Sequence, residues 1–298
     1  MQANVLTAVA LPAALAVIML GLGLSLTLDD FKRIVVYPKA VAVGLACQML
    51  LLPFVCFGIA RAFALPPELA VGLMLLAASP GGATANLFSH LARGDVALNI
   101  TLTALNSLLS LFTLPIVVNL SLLAFMGDGK VIPLQFAKVA QVFAIVLVPV
   151  TIGMAIKAKR PALAARMDKP VRALSALVLL LVVGAAVYKE RAKVVEYFQL
   201  VGGAALAFNL ASLAVGYFFP RMARLEKKQS IAIGMEIGIH NGTLAIAIAA
   251  SPLLLNNGMM AVPPAIYSLI MFFTAAAFGF LVNASSRTAP APSPSQMA

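Results

Sequence analysis

The stretch Leu75-Leu-Ala-Ala-Ser-Pro-Gly-Gly-Ala-Thr-Ala-Asn-Leu87 starts as an apolar helix and loses that character at its centre. Pro80 has no amide proton to give the preceding turn, and the two glycines behind it favour an opened backbone. The stretch lies inside an apolar segment from about 67 to 92, long enough to cross a hydrocarbon core of roughly 30 Å. An interruption at mid-membrane leaves amides and carbonyls unpaired, which is tolerable only against protein or a water-lined cavity. Discontinuous membrane helices bind ions and anionic groups at such points. Proline kinks without function are common, but Thr84 and Asn86 beside the Pro-Gly-Gly triplet favour a binding site.

Outward from this segment the same theme continues. Apolar residues make up 62% of the 298 and charged residues 10%. The mean hydropathy is +1.02, far from the soluble range. These values predict an all-α polytopic membrane protein. Nine apolar segments are expected to span, at about 5–27, 36–61, 67–92, 95–125, 131–157, 168–188, 197–219, 228–251 and 262–284. Residues 1–284 then form one transmembrane domain, and 285–298, rich in Ala, Pro and Ser, a disordered tail. The first segment lacks a basic leader and is read as a retained span. With the N-terminus outside, most of the 21 basic residues, among them Lys32, Arg93, Arg160, Arg224 and Lys228, fall on one face. That face and the C-terminus are therefore expected in the cytoplasm, with the chain in the inner (plasma) membrane. The net charge of +11 follows from this loop bias and from anionic lipid at the inner surface, not from nucleic-acid binding. Cys47 and Cys56 share one span, too far apart along it to pair.

A second stretch, Ile231-Ala-Ile-Gly-Met-Glu-Ile-Gly-Ile-His-Asn-Gly-Thr-Leu-Ala245, holds Glu236 deep in an apolar segment. An ionised side chain near the bilayer centre costs roughly 2.5 to 3.5 kcal/mol, so it needs a partner, and a bound cation is the natural one. The plainer alternative is a structural Glu236, protonated or paired with His240 one helical turn away. Gly234, Gly238 and Gly242 make this span a second candidate for interruption. Two interrupted spans suggest paired halves. By hydropathy, spans one to four match six to nine, leaving span five over and giving the second block inverted topology. Asn99, Thr103, Asn106 and Ser110 form a polar stripe on one side of span four. Gly94 and Asp95 read as a helix stop and an N-cap, so the stripe can face Asn86. Helix-to-helix polar glue is the alternative reading of the stripe, and plain packing that of Gln48 in span two.

Pro80-Gly-Gly-Ala-Thr-Ala-Asn86, Leu91-Ala-Arg-Gly-Asp-Val-Ala-Leu98 and Glu236-Ile-Gly-Ile-His-Asn241 resemble the bile acid:sodium symporter family, over nearly the whole chain. The resemblance implies a core domain, here about 36–125 and 197–284, with two broken helices crossing at mid-membrane. It also implies a panel domain, here about 5–27, 131–157 and 168–188, that moves against the core. Bacterial relatives often have ten helices, and this chain resembles the nine-helix animal members instead. By motif, a first sodium site uses Asn86, Thr103 and Glu236, with Ala85 and Asn99 at positions that are usually serine. Ala85 removes a ligand, while Asn99 supplies a longer-reaching amide oxygen suited to a hard cation. A second site uses Gln48, Glu236 and the carbonyls of Ile237 and Ile239, with His240 where relatives carry glutamine. A neutral imidazole offers nitrogen and an imidazolium repels sodium, so this site is weakened. His240 either carries a proton in place of the second cation or only hydrogen-bonds as glutamine did. One sodium with a monoanion implies weak voltage dependence or a marked pH dependence.

For the substrate, the N-termini of the broken helices carry partial positive charge and free amides at Ala83, Thr84, Asn241 and Thr243, which suits a carboxylate. The resemblance likewise implies organic anions, from small keto or hydroxy acids to bile acids. The expected function is sodium-coupled symport of such an anion by alternating access. Facilitative or proton-coupled carriage and a non-transporting membrane sensor are the alternatives. No metal-ligand cluster and no nucleophile beside a base points to an enzyme. Membrane lipid and the small anion are the expected partners, with no obligate protein partner and no nucleic acid.

Overall fold

A computed structural model describes residues 26–127, 136–167, 194–251 and 254–287, with scattered positions between 16 and 24 and between 170 and 177. Every labelled element is a helix. They are α1 (Pro38–Ala62), α2 (Pro67–Ala78), α3 (Ala83–Leu91), α4 (Val96–Met126), α5 (Phe136–Lys159), α6 (Val194–Met222), α7 (Lys227–Gly238), α8 (Gly242–Ala250) and α9 (Val262–Arg287). Among the described residues, four helices are long and apolar enough to cross a membrane: Pro38–Ala62, Val96–Met126, Val195–Met222 and Met259–Ala284. The segments expected at 5–27 and 168–188 lie largely outside the described residues. Of the expected tail, Ser285 to Arg287 continue α9 as helix, and 288–298 lie outside the described residues.

Both interruptions read from the sequence are present. Helix α2 starts with Pro67 in its first turn, where a missing amide proton costs nothing. It stops because Pro80 drives Ser79 into extended backbone (ψ 147°). Helix α7 opens on a capping box between Glu226 and Gln229 and ends at Gly238, and α8 begins after Asn241, whose side chain accepts from the Leu244 amide at 3.0 Å. The two gaps cross. Gly81 and His240 form an isolated antiparallel bridge, in which the Gly82 amide donates to the Ile239 carbonyl at 2.7 Å and the Asn241 amide to the Pro80 carbonyl at 2.8 Å. Each gap thereby satisfies the polar backbone groups of the other, as an opened backbone in hydrocarbon requires.

The turns entering α2 and α7 are alike. Ala64 and Arg224 both have positive φ, and the amides of Leu65 and Leu225 close back on the carbonyls of Ala60 (3.1 Å) and Pro220 (3.0 Å). A third turn of this kind ends α3, and it corrects the sequence reading of Gly94 as the stop. Arg93 takes the left-handed conformation (φ 59°), and Gly94 follows it. Gly94 is glycine because a Cβ there would lie 2.6 Å from Ser89 Oγ and 3.0 Å from Ile231 Cγ2. Asp95 is the N-cap of α4 as expected, accepting from the Leu98 amide at 3.0 Å.

Helix α2 is buried all round, every residue from Leu69 to Ala78 included, which marks it as the centre of the bundle. It packs on α1, α4 and α9, while α7 packs on α3, α4 and α6. Large apolar side chains such as Phe54, Leu120, Phe273 and Phe280 face outward on the long helices, the arrangement expected where the surrounding solvent is lipid.

Candidate functional site

Glu236 is fully buried on α7, two residues before the gap. Its carboxylate accepts from Thr103 Oγ1 at 2.6 Å and from Asn106 Nδ2 at 3.1 Å, both on α4. It lies directly on the other gap: a Cβ added to Gly81 would fall 2.3 Å from Oε1 and 2.4 Å from Cδ. The alternative pairing of Glu236 with His240 is not formed. Helix α7 ends at Gly238, so the two side chains do not share a helical face, and the imidazole Nδ1 sits 3.3 Å from the Ser79 carbonyl instead.

Asn99 donates through Nδ2 to the Ala232 carbonyl at 2.7 Å, and Gln48 donates through Nε2 to the carbonyls of Ala77 (3.1 Å) and Ser79 (3.0 Å). Carbonyls and carboxylates only accept, so these contacts fix the amide orientations of Gln48, Asn99 and Asn106. The opposite ends of these amides are then oxygens. Gln48 Oε1, Asn99 Oδ1 and Asn106 Oδ1, together with Asn86 Oδ1, are buried with no hydrogen-bond partner. By the same reasoning the hydrogen of His240 is on Nδ1, and its Nε2 lone pair is buried without a donor. An orphaned buried acceptor costs about 1 to 3 kcal/mol, and several of them beside a carboxylate fit a cation with oxygen ligands.

Gln48 is placed by a π turn over Cys47–Leu51 in α1. Pro53 cannot bond the preceding turn, and the wider turn there carries Leu52's amide back to the Cys47 carbonyl. On the far side, the Gly238 carbonyl that ends α7 accepts from both Asn209 Nδ2 and Tyr267 Oη at 2.9 Å, and Thr274 Oγ1 bonds Asn209 Oδ1. His240 packs between Phe208 (5.6 Å, near parallel) and Tyr267 (5.5 Å). Sequence reasoning missed Asn209 and Tyr267, although a buried Asn in an apolar span is a signal of the same kind as Gln48.

Of the ligands implied by resemblance, Thr103 donates to Glu236, Asn99 donates to the Ala232 carbonyl of α7, Gln48 and His240 both meet the Ser79 carbonyl at the gap, and Asn86 lies on α3 with its Oδ1 buried. The backbones of Ile237 and Ile239 flank the gap, and the Ile239 carbonyl already accepts from Gly82. The four residues expected from the sequence to bind the anion stand at the gap ends. Ala83 is the first residue of α3, Thr84 is exposed, Asn241 spends its side-chain oxygen on the α8 cap, and Thr243 is half-buried. A cavity of about 510 Å³ opens beside the crossing, reached by Pro80 and Leu244 and walled by Ser107 and Leu111 of α4 and Val150 and Thr151 of α5. Among the described residues that line it there is no Lys, Arg, Asp or Glu. Among the described residues there is no group of three or more His, Cys, Asp or Glu that could hold a metal.

Two crossing broken helices around one buried carboxylate, with four helices among the described residues long and apolar enough to cross a membrane, define the class: a helical membrane protein. Comparison with known proteins narrows the class. The model of the sodium bile acid symporter family matches residues 12–197. The sodium-dependent transporter YocS of Bacillus subtilis is 29% identical over 259 residues, spanning 86% of this chain and 77% of its own. The probable sodium/metabolite cotransporter BASS1 of Arabidopsis thaliana chloroplasts is 26% identical, with 86% of this chain and 62% of its own covered. The human ileal sodium/bile acid cotransporter is 25% identical over 94% of this chain and 80% of its own. The chain belongs to the sodium bile acid symporter family, a family of sodium-coupled transporters.

Proposed function

We propose that this protein is a symporter that couples inward movement of an organic anion to sodium by alternating access in the inner membrane. The observation that carries this reading is the Glu236 carboxylate surrounded by donor-less amide oxygens at the crossing. Glu236, Thr103, Asn86 and Asn99 hold the sodium ion that travels with the substrate, and Asn106 fixes the carboxylate from its second oxygen. The anion's carboxylate sits at the broken-helix N-termini around Ala83, Thr84, Asn241 and Thr243, where backbone amides and helix dipoles substitute for a basic side chain. The core of 36–125 and 197–284, built as an inverted repeat, moves against a panel that includes α5, with the cavity between them as the substrate path. The N-terminus lies outside and the C-terminus in the cytoplasm.

The apolar walls of the cavity, relieved among the described residues by the Ser107, Ser110 and Thr151 hydroxyls, favour an anion with a hydrocarbon body over a small fully polar acid. Uptake into proteoliposomes under an imposed sodium gradient tests the reading. A series of monocarboxylates of increasing hydrocarbon size is expected to compete with increasing strength, and Glu236→Gln is expected to abolish sodium-driven accumulation. Uptake that is indifferent to sodium, or accumulation driven equally by a proton gradient alone, points to a facilitative or proton-coupled carrier. Ligand binding without uptake points to a sensor.

A further inference from the structure

We propose that a groove between α3, α7 and α9 holds an anionic phospholipid, its acyl chain against Phe88, Leu91 and Phe280 and its headgroup on Arg93. The groove has a volume of about 380 Å³, with Met235 on its floor and Arg93 and Asn283 at one end. It is amphipathic along its length. Asn283 is fixed there by donating to the carbonyls of Ala92 (3.2 Å) and Gly279 (2.8 Å). The base is closed by small residues, since a Cβ on Gly279 would stand only 3.3 Å from that of Ala92.

The surroundings identify the occupant. Leu91 and Phe280, which line the groove, are 65% and 72% exposed, an apolar surface that in a membrane span is covered by lipid. The polar end lies at the membrane boundary, because Arg93 follows the end of α3 and Asn283 is next to the last residue of the span Met259–Ala284. The Asp95 amide donates to the Lys228 carbonyl at 3.0 Å, which brings Arg93 and the start of α7 to the same end. The acids of that end, Asp95 and Glu226, are engaged in capping α4 and α7. Arg93 forms no ion pair among the described residues, so a lipid phosphate with net negative charge is the complementary partner. A chain lying on Met235 also braces α7 one residue from Glu236.

The test uses the purified full-length protein in neutral detergent, with thermal unfolding followed against added phosphatidylglycerol or phosphatidylcholine of identical acyl chains. Phosphatidylglycerol is expected to stabilise at about fivefold lower concentration, the ratio that one basic residue at an anionic headgroup supports. Arg93→Asn, a residue that accepts left-handed backbone, is expected to erase this preference. Arg224→Asn is the matched control, because Arg224 has the same φ of 59° in the same kind of turn but does not line the groove. It is expected to keep the preference. Should Arg93→Asn not fold, Gly279→Leu decides, since filling the groove removes the preference while leaving every surface charge in place. Equal response to the two lipids, equal loss in Arg93→Asn and Arg224→Asn, or a preference that survives Gly279→Leu would each overturn the assignment.

Discussion

Gly81 and Glu236 touch so closely that the glycine's missing side chain is what gives the carboxylate its position. A methyl group at Gly81 would overlap Cδ at 2.4 Å, and the carboxylate cannot retreat because Thr103 and Asn106 hold it from α4. Sodium chloride is expected to raise the melting temperature over choline chloride, and Gly81→Ala to remove that rise while leaving helix content unchanged. Asn106 makes a separable contribution. Its amide donates to the buried carboxyl group of Glu236, a bond worth about 1 kcal/mol or more. Asn106→Leu is expected to lower unfolding stability by about that amount even without sodium, read by denaturant titration in detergent. Thr103→Val has a different signature, since its hydroxyl contacts the carboxylate that receives the ion. Residues such as Glu236 were legible in the sequence because a lone charge in an apolar run is expensive wherever it points. The role of Asn106 was not, because the polar stripe alone does not reveal which of its amides reaches the carboxylate.

At the scale of elements, the interruptions in spans three and eight were legible for a backbone reason: Pro80 with two glycines behind it, and three glycines spaced through the second span. The bridging of the gaps to each other was legible only through resemblance, since the Gly82 to Ile239 and Asn241 to Pro80 bonds join segments far apart in the chain. The same distance hid Tyr267 and Asn209. Both donate to the Gly238 carbonyl, which has no helical partner because α7 ends there. Tyr267→Phe leaves Asn209 in place and is expected to cost about 1 kcal/mol; the double change Tyr267→Phe with Asn209→Leu orphans the carbonyl and is expected to cost more than the sum of the single changes. Unfolding midpoints of the four proteins in one detergent make the comparison. The stop after α3 shows the limit of motif reading in the other direction. Gly94 reads as the helix stop, yet Arg93 holds the left-handed conformation of that turn and Gly94 is required by the close approach of Ser89 and Ile231.

For the whole molecule, the two sides of Glu236 differ in what they offer a cation, and the difference sets a charge balance. Toward α3 and α4 the unpaired acceptors are oxygens, those of Asn86, Asn99 and Asn106. Toward α1 and the gap, Gln48 contributes one oxygen, and His240 presents a nitrogen while its other nitrogen faces the Ser79 carbonyl. A hard cation favours the first side, so the predicted stoichiometry is one sodium with one monoanion. Such a cycle moves no net charge. With two sodium ions each cycle would carry one positive charge, worth about 2.3 kcal/mol across 100 mV, or about fiftyfold in the accumulation ratio at equilibrium. The measurement is uptake of a monocarboxylate into proteoliposomes at a fixed sodium gradient, with a potassium diffusion potential of either sign set by valinomycin. Equal accumulation at both signs is expected. Accumulation that follows the potential with the slope of one charge would instead require a second cation, and with it a way for His240 and Gln48 to hold sodium that their present partners do not provide.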